Sequence, residues 1–378
     1  MSNKSFYFKN LDTIRFIAAM MVFMQHAVSP AFKLLDIDGT IIQRVLKVIS
    51  SGGVGVSIFF VLSGFLITYL IFAEVEKTGK FNIKHFYVRR FLRIWPLYYA
   101  VVFFSFIVYP GLKEIFNINN PLGSNFLYHI SFLSNFDVIN IKENCDGLNA
   151  LSQNITWSVS IEEQFYLFWP LIFLLPKKKW VYPVVGLVIF SLMFRYANIA
   201  NVNVLYFHTF SVLIDLVIGG LIAIMVKTTP IFRKSLENTS TVFHVCIFAL
   251  TFSVLYFETT FIFGELDVVF GRLVRSILFA LIIASQALTV KKSFLCLGNF
   301  NFTSKWGKLT YGIYLLHPIV ITLIDILFRA IKVDYTKSFI THFGVSLLML
   351  MGTFLISWLS YNYFEKRFLA IKSKFQKI

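Results

Sequence analysis

Val48–Ala73 reads VISSGGVGVSIFFVLSGFLITYLIFA and contains no Asp, Glu, Lys or Arg. About 20 apolar residues carry an α-helix across the hydrocarbon of a bilayer, so this stretch predicts a membrane-spanning helix by itself. Within it, Gly52-Gly53-Val54-Gly55 and Ser63-Gly64 are the small residues that let membrane helices pack closely. Their spacing is not that of a nucleotide-binding glycine loop. Ser338–Phe364, near the other end of the chain, is equally free of charge.

Between and beside these two stretches the same pattern recurs, broken by charged or turn-rich segments. Ten spans are expected, at about 11–29, 50–73, 92–112, 160–176, 180–197, 206–226, 239–258, 270–290, 308–328 and 340–363. Composition agrees: 57% of residues are hydrophobic and 14% charged, against about 25% charged in soluble domains, and the mean hydropathy is +0.73. That apolar content excludes disorder. The 19 Gly and 9 Pro show no collagen-like period. No stretch of soluble composition is long enough for a separate domain, so residues 1–378 are expected to form one membrane-embedded all-α bundle with no appended soluble domain.

The net charge of +16 would suggest nucleic acid in a soluble protein. Here the basic residues cluster on alternate loops, roughly two to one, which places both termini in the cytoplasm and the charge against anionic lipid. A multi-pass protein of the cell membrane, with no nucleic-acid partner, is expected. Lys4 and Lys9 precede an apolar stretch as in a signal peptide, but Arg15 interrupts the core and Pro30 follows the small-residue site. Cys145, Cys246 and Cys296 are too scattered for a disulfide framework, and no Cys/His spacing suggests a metal. The loop at 113–159 is Asn-rich and is expected to cover the outer mouth. No internal repeat supports an inverted-repeat transporter.

Ionisable groups at membrane depth are costly and mark function by default. Arg15 and His26 are eleven residues apart, almost three helical turns, so an α-helix puts both on one face about 16 Å apart. Arg15 reads either as a functional cation or as one that snorkels to the inner surface. His26 reads either as a general base, the commonest role of a group titrating near neutrality, or as a buried imidazole satisfied by a neighbour. Glu162 and Tyr166 are i, i+4 on one face of the fourth span. By helix rise Glu162 lies about 22 Å and His26 about 25 Å from the inner boundary, so a carboxylate–imidazole pair is one reading; an acidic pair at a helix N-terminus is the other. Arg90 and Arg93, i and i+3, are placed either to grip a polyanion or to anchor the span. Tyr311, Tyr314 and His317 lie in Leu309–Val320, and Asp215 is also deep, with a structural role favoured for the aspartate.

Five segments in order resemble the membrane acyltransferase 3 family of bacterial O-acyltransferases. They are Leu11-Asp12-Thr13-Ile14-Arg15 followed by His26; Phe59-Phe60-Val61-Leu62-Ser63-Gly64-Phe65-Leu66; Arg90-Phe91-Leu92-Arg93-Ile94-Trp95-Pro96; Trp157-Ser158 through Glu162-Glu163-Gln164-Phe165-Tyr166; and Tyr311-Gly312-Ile313-Tyr314-Leu315-Leu316-His317-Pro318. The resemblance implies ten core spans, a cytoplasmic acyl-CoA donor (acetyl-CoA by family default), and a carbohydrate or glycolipid acceptor outside. It implies His26 as base and Arg90 and Arg93 as donor-binding residues; Tyr314 and His317 are grouped with the donor site, and Glu162, Tyr166 and Arg15 with the catalytic one. Direct transfer and a two-step route through an acyl-histidine are both open, as is self-association or assembly with glycan-synthesis partners. Ser57 stands where family members often carry Asp, so no carboxylate role transfers to it. A transporter of a lipid-linked sugar or anion, and a non-catalytic subunit of a glycan-synthesis complex, are the competing readings.

Overall fold

The computed structural model describes residues 8–118, 123–144, 151–176, 179–257, 263–290 and 295–375. Cys145, Lys177 and the loop asparagines Asn119, Asn120 and Asn149 lie outside them. Every regular element among the described residues is helical. The principal helices are α1 (Lys9–Phe23), α2 (Ile41–Ile49), α3 (Gly52–Thr78), α4 (Ile83–Phe103), α5 (Ser134–Asn144), α6 (Thr156–Phe168), α7 (Val181–Ala197), α8 (Thr209–Thr228), α9 (Pro230–Glu237), α10 (Thr241–Phe257), α11 (Asp267–Leu288), α12 (Thr310–Ala330), α13 (Phe339–Leu359) and α14 (Lys366–Ser373).

The chain is an integral membrane helical bundle. All ten apolar stretches become helical over most of their length, but among the described residues seven helices, not ten, are long and apolar enough to cross a bilayer; an eighth is added if α9 and α10, bent by 96°, are one span. Three stretches fall short for physical reasons. The fourth is α6 followed by a 3₁₀ segment, Trp169–Leu174, because Pro170 lacks the N–H that would continue the ladder. The fifth and seventh, α7 and α10, have 17 residues each, or about 25 Å of helix against about 30 Å of hydrocarbon.

α3 and α8 form the centre. They cross backbone to backbone: a Cβ on Gly64 would overlap the Leu216 carbonyl, and one on Gly219 would overlap that of Val61. Trp169 closes the crossing, seated on Gly220 and donating its indole N–H to Thr68 Oγ1 at 2.8 Å. α13 lies at the edge, with Leu347, Met351 and Leu355 open on its outer face, as expected where lipid is the solvent.

Loops gather alternately at two ends. At one, Lys9 bonds Asn301 (3.0 Å), Lys227 bonds Glu76 (2.7 Å), Arg89 bonds Glu74 (2.7 Å) and Val290 N–H bonds the Glu237 carbonyl (3.1 Å). At the other, Arg195 donates to the Val268 carbonyl and Asn201 to Glu143 Oε1. The first end carries the loops that the charge bias assigns to the cytoplasm.

Candidate active site

A fault in its helix positions His26. α1 is regular to Phe23, then widens into a π-helical turn, Met24–Val28. Pro30 has no N–H for the His26 carbonyl four residues earlier, so the α-helical ladder fails there; such turns are frequent at functional sites. Other elements satisfy the groups it disturbs. Ser346 Oγ donates to the Ala27 carbonyl at 2.6 Å, and the Gln25 side chain accepts the Gly52 N–H. The α-helical register from Arg15 therefore stops short of His26.

The His26 ring stacks on that of His317, with centroids 5.5 Å apart and planes 30° apart. His317 is 1% exposed. Its Nδ1 lies 3.1 Å from the Ile313 carbonyl, which only accepts, so Nδ1 carries the proton and Nε2 is an acceptor. That Nε2 is buried with no partner among the described residues. A buried unpaired acceptor is costly and is explained by a water or ion, or by a catalytic role.

One face of α6 continues from this pair. Ser158, Glu162 and Tyr166 are spaced by four residues, so they line up over about 12 Å. Ser158 Oγ lies 2.5 Å from Tyr314 Oη, and Tyr314 packs edge-on to His317 at 6.2 Å. Tyr166 Oη donates to Glu162 Oε2 at 2.7 Å and also meets Ser63 Oγ. The Arg90 guanidinium lies 5.5 Å over the Tyr166 ring and 5.7 Å from that of Phe86, with a buried Nε that has no partner among the described residues. Glu163, on another face, takes the Trp95 N–H at 2.8 Å. Tyr311 Oη ties α12 to the Ile94 carbonyl at 2.6 Å.

Cations converge at the inner end. Arg89 is tied to Glu74 and to the Phe375 carbonyl, and Arg15 to Asp12 at 2.5 Å. Arg93 is exposed. Lys372, on α14, sits in the field of Arg15, Arg89, Arg90 and Arg93. Carboxylates share this field: Glu162 lies in that of Arg90 and Arg93, and Glu365 in that of Arg93.

Three placements differ from the sequence reading. Glu162 meets Tyr166 and the field of Arg90 and Arg93 rather than His26. Arg90 and Glu162 are not about 22 Å apart, since both meet Tyr166; α4 begins at Ile83, which carries Arg90 and Arg93 about 10 and 15 Å along the helix, and the broken fourth stretch does not give the assumed rise. Tyr314 and His317 stand with His26 and Ser158, not with the arginine pair. Asp215 is a structural ion pair, 2.6 Å from Arg272 and 2.5 Å from Ser276 Oγ, and Ser57 Oγ accepts from the same Arg272 at 3.2 Å. Ser158 was legible as one turn before Glu162. Lys372 was not, because only the folded tail brings it to the arginines.

Residues 8–362 match a family model described as an acyltransferase domain. The peptidoglycan O-acetyltransferase OatA of Listeria monocytogenes is 29% identical over 362 residues, covering 87% of this chain and 55% of that protein. A putative O-acetyltransferase of Staphylococcus aureus is 30% identical over 305 residues, covering 76% of this chain and 49% of its own length. An uncharacterized Haemophilus influenzae protein is 32% identical over 182 residues, 44% of this chain and 73% of that one. The chain thus spans about half the length of the two O-acetyltransferases. No solved structure matches.

Proposed function

The chain belongs to the acyltransferase 3 family, and on that premise we propose that it transfers an acetyl group from cytoplasmic acetyl-CoA to a hydroxyl of an envelope glycan on the other side of the membrane. One observation supports this above the others: a file of polar groups runs from Arg90 through Tyr166, Glu162, Ser158 and Tyr314 to His317 and His26. It joins a cationic mouth to an imidazole pair through the interior of an apolar bundle.

In this reading Arg90, Arg93 and Lys372 hold the CoA phosphates, with the guanidinium forks taking two oxygens at once. Arg15, paired with Asp12, adds charge at the same mouth. The thioester arm lies along the Tyr166–Ser158 face, where Tyr314, which shares with Ser158 a hydrogen bond that either hydroxyl can donate, offers its O–H to the carbonyl. The acceptor enters from the opposite end. Its oxygen attacks the thioester carbon as His26 takes its proton; the C–S bond then breaks, and the CoA thiolate leaves and takes up the proton that His26 carries, which restores the neutral imidazole. His317, stacked on His26, fixes the plane of the base.

The test is mass spectrometry of envelope glycans from cells with the gene, without it, and with His26→Ala. Loss of one acetyl mass in both altered strains is expected, with the variant still inserted in the membrane. Unchanged acetylation by inserted His26→Ala would remove the base assignment.

A further inference from the structure

The row of α12 that carries His317 continues past it toward the end of the bundle away from Arg90. His317, Ile321, Asp325 and Arg329 recur every four residues, so each adjoins the next along the helix surface. Asp325 lies about 12 Å and Arg329 about 18 Å beyond the imidazole by helix rise. Ile321 packs in one apolar cluster with Ala27 and Val28, the two residues that follow His26.

Tyr335, in the connection from α12 to α13, is the hub of this outer end. Its hydroxyl donates to Asp325 Oδ1, and its ring packs edge-on to that of His342 at 5.4 Å. Arg329 and His342 lie in the field of Asp325, and Tyr109, beyond the end of α4, in that of Asp325 and Arg329. The cluster is tied to the π-turn of His26, because Ser346, one turn after His342 on α13, donates to the Ala27 carbonyl.

Three polar groups here have no partner among the described residues. His342 is 7% exposed and its Nδ1 is buried and unbonded, which is costly. Asp325 uses only Oδ1, and the exposed Arg329 side chain makes no hydrogen bond or ion pair. A clasp for the turn would be complete with the Tyr335–Asp325 bond alone. Asp325 and Arg329 balance in charge, so the cluster does not call for an ion. It offers a carboxylate acceptor, a forked donor and an imidazole nitrogen beside tyrosine rings. A sugar supplies the complement, with hydroxyls that both donate and accept and an apolar C–H face for an aromatic ring.

We infer, on the premise that the chain acetylates an envelope glycan, that Asp325, Arg329, Tyr335 and His342 form a subsite for a sugar of the acceptor further along its chain from the one presented to His26. The offset of about 12 Å from His317 is more than a single sugar ring bridges. Transfer therefore depends on acceptor length.

The probes are oligosaccharides of one to four residues, prepared from the envelope glycan of cells lacking the gene and sorted by length. Purified protein in nanodiscs is given each with radiolabelled acetyl-CoA, and binding is measured separately by calorimetry. The four-residue probe is expected to exceed the single sugar at least tenfold in kcat/KM. In Arg329→Gln and Asp325→Asn that ratio should fall at least fivefold while the KM for acetyl-CoA holds, and Arg329→Lys should restore part of it. A mere clasp predicts otherwise: Arg329→Gln would change nothing, and Asp325→Asn would lower the thermal midpoint and disturb both substrates alike. Transfer independent of length, or a length preference that survives Arg329→Gln, would overturn the inference. If the wild-type protein acetylates none of the probes, the transferase reading fails. Calorimetry still decides the subsite: tighter binding of the four-residue probe that Arg329→Gln abolishes supports it, and its absence defeats it.

Discussion

Arg90 carries two burdens, since its guanidinium lies on the faces of Phe86 and Tyr166 and its Nε is buried with no partner among the described residues. A fork in that position is not replaced by an ammonium, which is compact and cannot take two phosphate oxygens in one plane. Arg90→Lys is therefore expected to raise the KM for acetyl-CoA about tenfold or more, a loss of about 1.4 kcal/mol, while the variant still inserts. A residue serving only as a positive-inside anchor would tolerate Lys with unchanged KM, and initial-rate kinetics separates the two. Much at this scale was legible in the sequence. The i, i+4 spacing of Glu162 and Tyr166 gave their shared face, and the depths of His26 and His317 marked both as out of place in lipid. Their contact with each other was not legible, because it joins α1 to α12 across the fold, and neither was the partner of Glu162, because a helix face says which residues sit together but not what the next helix brings.

Hydrophobic length set the elements, and proline and glycine set their irregularities. Of the uncharged run, Gly52–Ala73 became the core of α3, while Val48 and Ile49 close α2. Pro170 cut the fourth stretch short, and Pro30 opened the π-turn that carries His26; both prolines were visible, but their consequence depends on which carbonyl loses its donor and who replaces it. The glycines divide in the same way. Gly64 and Gly219 are places where α3 and α8 touch backbone to backbone, while nothing lies within 4 Å of a Cβ built on Gly186 of α7. Gly64→Ala should force the central helices apart at a cost of about 1–3 kcal/mol or more and lower the thermal midpoint. Gly186→Ala should be neutral or stabilise by up to about 1 kcal/mol. Thermal unfolding of the two purified variants in one detergent provides the comparison, and equal midpoints would refute the close crossing.

As a whole the molecule is an apolar bundle with chemistry threaded through it. One end gathers the Lys- and Arg-rich loops with Arg90, Arg93 and Lys372 near one another; the other gathers the loops around Arg195 and Asn201. Between them, on the proposed path, lie the Tyr166–Glu162–Ser158 face and the His26–His317 pair. The bundle class was legible in composition, and the charge asymmetry in the distribution of Lys and Arg among alternate loops. The number of full-length helices was not, because hydropathy counts apolar residues without knowing where a helix bends or stops. The central claim is that one reaction draws its two substrates from opposite sides of this path. Sealed vesicles of known orientation test it most directly, using radiolabelled acetyl-CoA and a membrane-impermeant glycan acceptor supplied separately to each side. Transfer is expected only with acetyl-CoA at the Lys- and Arg-rich face and acceptor at the other; transfer with both confined to the same side of an intact membrane would contradict it.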